Sequence, residues 1–311
     1  MSHEHHEHNE HHEHHGHHHH HHVAADNGQM RKILWVAIIL NLLFVGVEAG
    51  VGLWQNSLSL LSDAGHNLSD VFSLVLVVVG LHLVQVHSNE HYTYGYKKST
   101  ILISLANAIL LLVAVGVIMA ESIHKLREST TIDGAVISWT AGVGILVNGL
   151  TTVLLMRGQK GDLNIRGAFL HMAADTLVSI GVVISGIVIK HTGWFIIDPI
   201  ISIVIAVVIL ISTWELLRDS MRLALDGVPE GIEVDEVAQL MRDTEHVTDV
   251  HHLHIWAMST TENALTAHVV VDDEHEATAV RKALKEALST KGITHATIEI
   301  ERDNDCCDKN C

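Results

Sequence analysis

Cysteine is nearly missing from this chain: Cys306, Cys307 and Cys311 are its three, all within the last six residues. That excludes a disulfide framework and fits a reducing compartment. Positive charge is in deficit too, the formal net charge being −17 at pH 7 with histidine counted neutral. An acidic, histidine-rich surface attracts cations and repels a nucleic-acid backbone, so nucleic acid is excluded as a partner. The N-terminus lacks a basic segment followed by an apolar one, so no cleavable signal peptide is expected and the first apolar run must target the chain. Proline (two) and phenylalanine (four) are scarce although 48% of the residues are hydrophobic, and much of that apolar content sits in long runs.

A bilayer-crossing helix takes roughly 20 apolar residues. Six such runs are read, at 33–54, 60–86, 100–120, 135–156, 165–189 and 199–217. The chain is therefore expected to be an α-helical polytopic membrane protein embedded in a lipid bilayer. Arg31 and Lys32 precede the first run, Lys97 and Lys98 separate the second from the third, and Arg157, Lys160 and Arg166 separate the fourth from the fifth. Arg218 and Arg222 follow the sixth, and the positive-inside rule puts all these segments in the cytoplasm with both termini. Lys125 and Arg127, after the third run, are the exceptions.

Four regions follow from the composition: a histidine-rich tail at 1–29, a transmembrane domain at 30–222, a C-terminal domain at 223–301 and a cysteine-containing tail at 302–311. The first tail cannot bury a core. Its run of six histidines, His17 to His22, reads either as an engineered tag or as part of a native metal-capturing arm, since the preceding residues carry the same bias. After Gly227, Pro229 and Gly231, periodicity predicts helices at 234–244 and 277–288 and strands at 250–257, 264–271 and 296–301. An αββαβ order of about 75 residues makes a small two-layer α/β domain.

Histidine and aspartate recur four residues apart in two of the apolar runs, as His66/Asp70 and His171/Asp175. On a helix that spacing shares a face, and ionisable groups in a membrane segment are costly enough to read as functional. Two such helices side by side present two imidazoles and two carboxylates, a four-coordinate set suited to zinc and, less selectively, to cadmium, cobalt or iron. Zinc requires deprotonated histidine, so metal and proton compete for the same atoms, and a site opening alternately to two sides can exchange one for the other.

These residues resemble a known family. The segments SLSLLSDAGHNLSD, YTYGYKK, LHMAADTLVS, DPIIS and VHHLHIWAMS are similar to those of the cation diffusion facilitators, metal/proton antiporters that include bacterial zinc, cobalt and cadmium exporters and animal zinc transporters. The resemblance covers residues 33–301. It implies a homodimer with six spans per protomer, a multi-pass place in a bacterial inner membrane, and a transport site of His66, Asp70, His171 and Asp175. It also implies a cytoplasmic ferredoxin-like dimerising domain that binds further zinc through His251, His268 and Glu301, with His254 and Glu299 as additional candidates. No organic cofactor and no enzymatic activity are expected.

Other polar residues have two readings each. Asp63 is either an accessory metal group or a hydrogen-bonding partner within the bundle. Strand alternation points His252 and His254 to one face and His251 to the other, so the cluster cannot bind one ion without another strand. Cys306, Cys307 and Cys311 are a frayed tail or a thiolate trap for zinc. Asp198 before Pro199 reads as an N-cap followed by proline at the first helical position. Asn41 and Glu48 are expected to form an internal stripe with Asn107 or Asn148, and His87, Glu90 and His91 are a solvated loop or a metal site at the membrane edge. The competing functions are a membrane-anchored zinc buffer and a di-metal oxidase, the latter needing many more histidines near the spans.

Overall fold

Scarcity of proline has a direct structural result: nothing interrupts the long apolar stretches, whose backbone groups in lipid must be satisfied within the helix itself. In the computed structural model, which describes residues 27–54, 58–127, 134–194 and 196–302, they form six long helices. These are α1 (Asn27–Trp54), α2 (Leu58–Leu83), α3 (Ser99–Arg127), α4 (Gly134–Leu155), α5 (Leu163–Thr192) and α6 (Ile197–Ala224). Among the described residues, four carry stretches long and apolar enough to cross a membrane: Met30–Val51, Ser99–His124, Leu163–Ser185 and Pro199–Ala224. Among the described side chains, the apolar stretches of α2 and α4 run over Asp70–Leu83 and Gly142–Leu155. The first half of α2 holds the polar residues Asp63, His66, Asn67, Ser69 and Asp70.

α3 lies along α6, α1 along α2 and α4 along α5, with α2 and α5 meeting inside. The helices overrun the apolar runs at several ends; α3 continues through Ile123 and Leu126. The expected cap at Asp198 is displaced: α6 starts at Ile197 with Ile196 before it, which makes Asp198 and Pro199 its second and third residues. Proline costs nothing there, because the first four N–H groups of a helix have no intrahelical acceptor. Asp162 precedes α5 and accepts a 2.7 Å hydrogen bond from the Asn164 N–H, fixing where that helix begins. Burial raises the Asp162 carboxyl above its ordinary pKa, with Asn164 pulling the other way.

The C-terminal domain runs α7 (Val234–Arg242), β1 (Val247–Ala257), β2 (Asn263–Val271), a short 3₁₀ turn, α8 (Ala277–Thr290) and β3 (Ile293–Glu301). The sheet order is β1-β2-β3, with β1 antiparallel and β3 parallel to β2. α8 therefore supplies the crossover that a parallel pair requires. It buries Val280, Leu284 and Leu288, one helical stripe, together with Val237 and Met241 of α7, against Leu265, Ala267, Val269 and Val271 of β2. Because β2 alternates, His268 lies on the opposite face of the sheet from these helices.

This domain sits against the helix ends that carry the basic loops. Lys97 pairs with Glu262 and Lys98 with Asp226, each at 2.5 Å. The Thr260 N–H donates to Thr100 Oγ1 at 3.1 Å, and Asn164 Nδ2 donates to Thr260 Oγ1 at 3.3 Å. One loop after β1 thus touches the starts of both α3 and α5.

Candidate metal centres

Inside the helical bundle, Val71 and Leu74 of α2 share an apolar cluster with Ala168 and Met172 of α5. Small residues such as Ala168 let helix backbones approach closely. The approach brings Asp70, 1% exposed, to His171: Nε2–H donates to Asp70 Oδ1 at 2.6 Å. Asp175, one turn further along α5, places Oδ2 3.8 Å from the same nitrogen. One ligand atom from each of Asp70, His171 and Asp175 lies within 4.8 Å of the others. His66 occupies the α2 position one turn before Asp70, but its side chain falls outside the described residues, as do those of Asp63 and Asp198.

A second buried tie stands beside this cluster. Asn67, one turn before Val71, donates from Nδ2 to Glu48 Oε2 at 2.8 Å, joining α2 to α1. Asn41 donates to Thr151 Oγ1 at 3.3 Å and to the Ala37 carbonyl at 2.9 Å. The polar stripe on α1 therefore finds Asn67 and Thr151, where the sequence pointed to Asn107 or Asn148. The pattern LLSDAGHNLSD made Asn67 visible as polar, but spacing within one helix cannot show what a second helix brings to it.

The second cluster is built on the sheet. His268 Nδ1–H donates to Glu301 Oε1 at 2.5 Å, and His251 Nε2 lies 3.1 Å from Glu301 Oε2. These three residues also offer ligand atoms within 4.8 Å of one another. Glu299 stands at the edge, 3.5 Å from His268 Nε2 and largely exposed. His254 is exposed and pairs with Thr266.

Alternation along β1 is broken, which corrects the facing expected for its histidines. Pairing steps from His251↔His268 to His254↔Thr266, three residues on β1 against two on β2, so β1 carries one extra residue. Such a β-bulge resets the phase of a strand. Val250 and Ile255, an odd number of residues apart, can then both reach the core. His252 adopts φ +49, and its ring lies 4.9 Å from that of His268 and 5.2 Å from that of His251. The odd spacing of two core-type residues was the available signal for this arrangement. Simple alternation would turn His252 away from His251, whereas the bulge brings the two rings together.

Elsewhere, His87, Glu90 and His91 are exposed, and His246 Nδ1 lies 2.9 Å from Asp272 Oδ1. That hydrogen bond raises the His246 pKa above its ordinary value, Glu245 and Glu276 adding to it. The histidine tail and Cys306, Cys307 and Cys311 lie outside the described residues.

Residues 34–223 match the cation efflux transmembrane domain, and residues 229–303 match the cation efflux protein cytoplasmic domain. A cadmium, cobalt and zinc/H(+)-K(+) antiporter of Bacillus subtilis is 34% identical over 283 residues, 89% of this chain and 91% of that one. The metal cation efflux system protein CzcD of Cupriavidus metallidurans is 33% identical, covering 88% of this chain and 87% of its own. The zinc transporter ZitB of Escherichia coli is 34% identical across 83% of each chain. Two domain matches in sequence order and relatives aligned along most of their length make this multi-pass membrane protein a member of the cation efflux family, a family of transporters and not of enzymes.

Proposed function

We propose that this protein is a secondary active exporter that carries zinc, with cadmium and cobalt as further substrates, out of the cytoplasm in exchange for protons by alternating access. The observation that carries the reading is the 2.6 Å contact between His171 Nε2 and Asp70 Oδ1 in a buried cluster of one imidazole and two carboxylates. A proton lies between those two atoms, and a divalent ion needs both as bare ligands. Metal and proton therefore exclude each other at one place. His66 completes the set to two imidazoles and two carboxylates, a tetrahedral donor set without thiolate that suits zinc. Zinc loads where protons are few and leaves where they are many.

The reading includes six spans, α1 to α6, because Asn67 and Asp70 of α2 are buried in the bundle while Leu68 and Phe72 present apolar surface outward. Lys97 and Lys98 share one end of the bundle with the C-terminal domain, which by the positive-inside rule is the cytoplasmic end, with both chain termini. The αββαβ domain is ferredoxin-like in this reading and joins two copies into a homodimer in a bacterial inner membrane. His251, His268 and Glu301 hold a resident zinc ion there. Their two imidazoles and one carboxylate fit such an ion, which when bound supplies the positive charge that the carboxylate faces.

Sealed vesicles containing the purified protein, with an imposed pH gradient, test the exchange. Zinc flux is expected to reverse when the gradient is reversed and to vanish in Asp70→Ala. Flux that ignores the gradient, in protein that still binds zinc, overturns antiport. Removing residues 1–23 separates a transporter from a buffer: transport survives the deletion in the first and function is lost in the second.

A further inference from the structure

We propose that His252 is a fourth ligand of the C-terminal metal centre, which then closes around one zinc-like ion with three imidazoles and one carboxylate. The proposal rests on the reading of His251, His268 and Glu301 as ligands and adds a residue to it. His252 lies within the β1 bulge, and its φ of +49 is a left-handed conformation that side chains other than glycine rarely adopt. Holding it there is strained, and strain of this kind persists where the surrounding structure over-determines it.

The ring gains little by ordinary hydrogen bonding. Its Nε2 is buried and, among the described residues, makes no hydrogen bond, although it lies among two other imidazoles, 4.9 Å from His268 and 5.2 Å from His251 between ring centres. A buried nitrogen left in that state is destabilising, a cost that an apolar side chain of similar size would avoid. A metal ion accepts the lone pair and removes the cost. The other three ligand atoms already lie within 4.8 Å of one another, so joining them takes a rotation of a side chain that the bulge has freed from the ladder. A centre with four protein ligands keeps no open position, and holds its ion instead of passing it on.

Cobalt(II) alone is the probe, added to the full-length protein. The difference spectrum between wild type and Glu301→Ala isolates the C-terminal centre from the other sites. It is expected to show the intense visible bands of four-coordinate cobalt. In His252→Asn the bands weaken toward those of a higher-coordinate ion, and cobalt affinity at this centre falls by about tenfold or more. Asparagine tolerates positive φ, so a merely structural role at the bulge survives this substitution while a ligand role does not. Unchanged band intensity and affinity in His252→Asn overturn the proposal. If His251→Ala and Glu301→Ala themselves leave cobalt binding unchanged, the three-ligand reading fails as well.

Discussion

The two clusters use nearly the same donors and mount them in opposite ways. His251, His268 and Glu301 stand on three strands whose positions are fixed by a hydrogen-bonded ladder, His251 against His268 and Glu301 against Val270. Asp70 and His171 stand on α2 and α5, which meet through side chains only. Two helices can shift past each other by an ångström or two, whereas a ladder cannot shift without breaking its register. In the proposed reading, similar chemistry serves exchange in one place and retention in the other. The Thr260 loop joins them, since it leaves β1, which bears His251, and contacts the start of α5, which bears His171.

The comparison breaks most sharply under ligand removal. Asp70→Ala or His171→Ala is expected to lower proton-coupled zinc flux by at least about 100-fold, roughly 2.7 kcal/mol or more, while the C-terminal centre keeps its metal. Flux close to wild type in either variant would remove the intramembrane site. Glu301→Ala gives the converse pattern, with C-terminal metal affinity down by about tenfold or more and flux retained; a variant that loses both would show that the centres are not separable. Replacing both His66 and His171 by Asp presents four carboxylates and is expected to broaden selectivity toward cadmium and manganese. A zinc preference unchanged in competition assays would place selectivity elsewhere.

Smaller effects sharpen the contrast in mounting. Asn67→Leu removes the buried hydrogen bond to Glu48, and is expected to cost the helical domain about 1–2 kcal/mol in thermal unfolding without touching the sheet. The smallest effect is a pH dependence. The His246 pKa is raised in the fold by Asp272, so its contribution is fully present below the unfolded value of about 6.5 and is lost as pH rises through the folded value. The melting temperature of the C-terminal domain in wild type should exceed that of His246→Ala at acid pH, and the two should converge at alkaline pH. A gap that widens with pH would contradict the sign.

How much the sequence disclosed follows from the same difference. His171 and Asp175 announce themselves by a spacing of four, because a helix turns spacing into facing. The αββαβ order was likewise readable, since Val280, Leu284 and Leu288 repeat at a helical period while β2 alternates. The facing of His252 is not legible because alternation assumes an unbroken strand, and the bulge that breaks it depends on pairing with β2. The sequence points Glu48 toward Asn107 or Asn148, and its hydrogen bond to Asn67 is not legible there because the two lie on different helices. Short-range periodicity is written in one segment; long-range partnership is a property of two.

The central claim is that zinc and a proton compete for His171 Nε2 and Asp70 Oδ1. It is tested most directly by counting protons released on zinc binding, using calorimetry in buffers of different ionisation enthalpy. Glu301→Ala protein lacking residues 1–23 isolates the intramembrane centre for this purpose. Release of at least one proton per zinc between pH 6 and 7 is predicted, together with an affinity that falls as pH is lowered. Zinc binding without proton release, at an affinity independent of pH, would contradict the account.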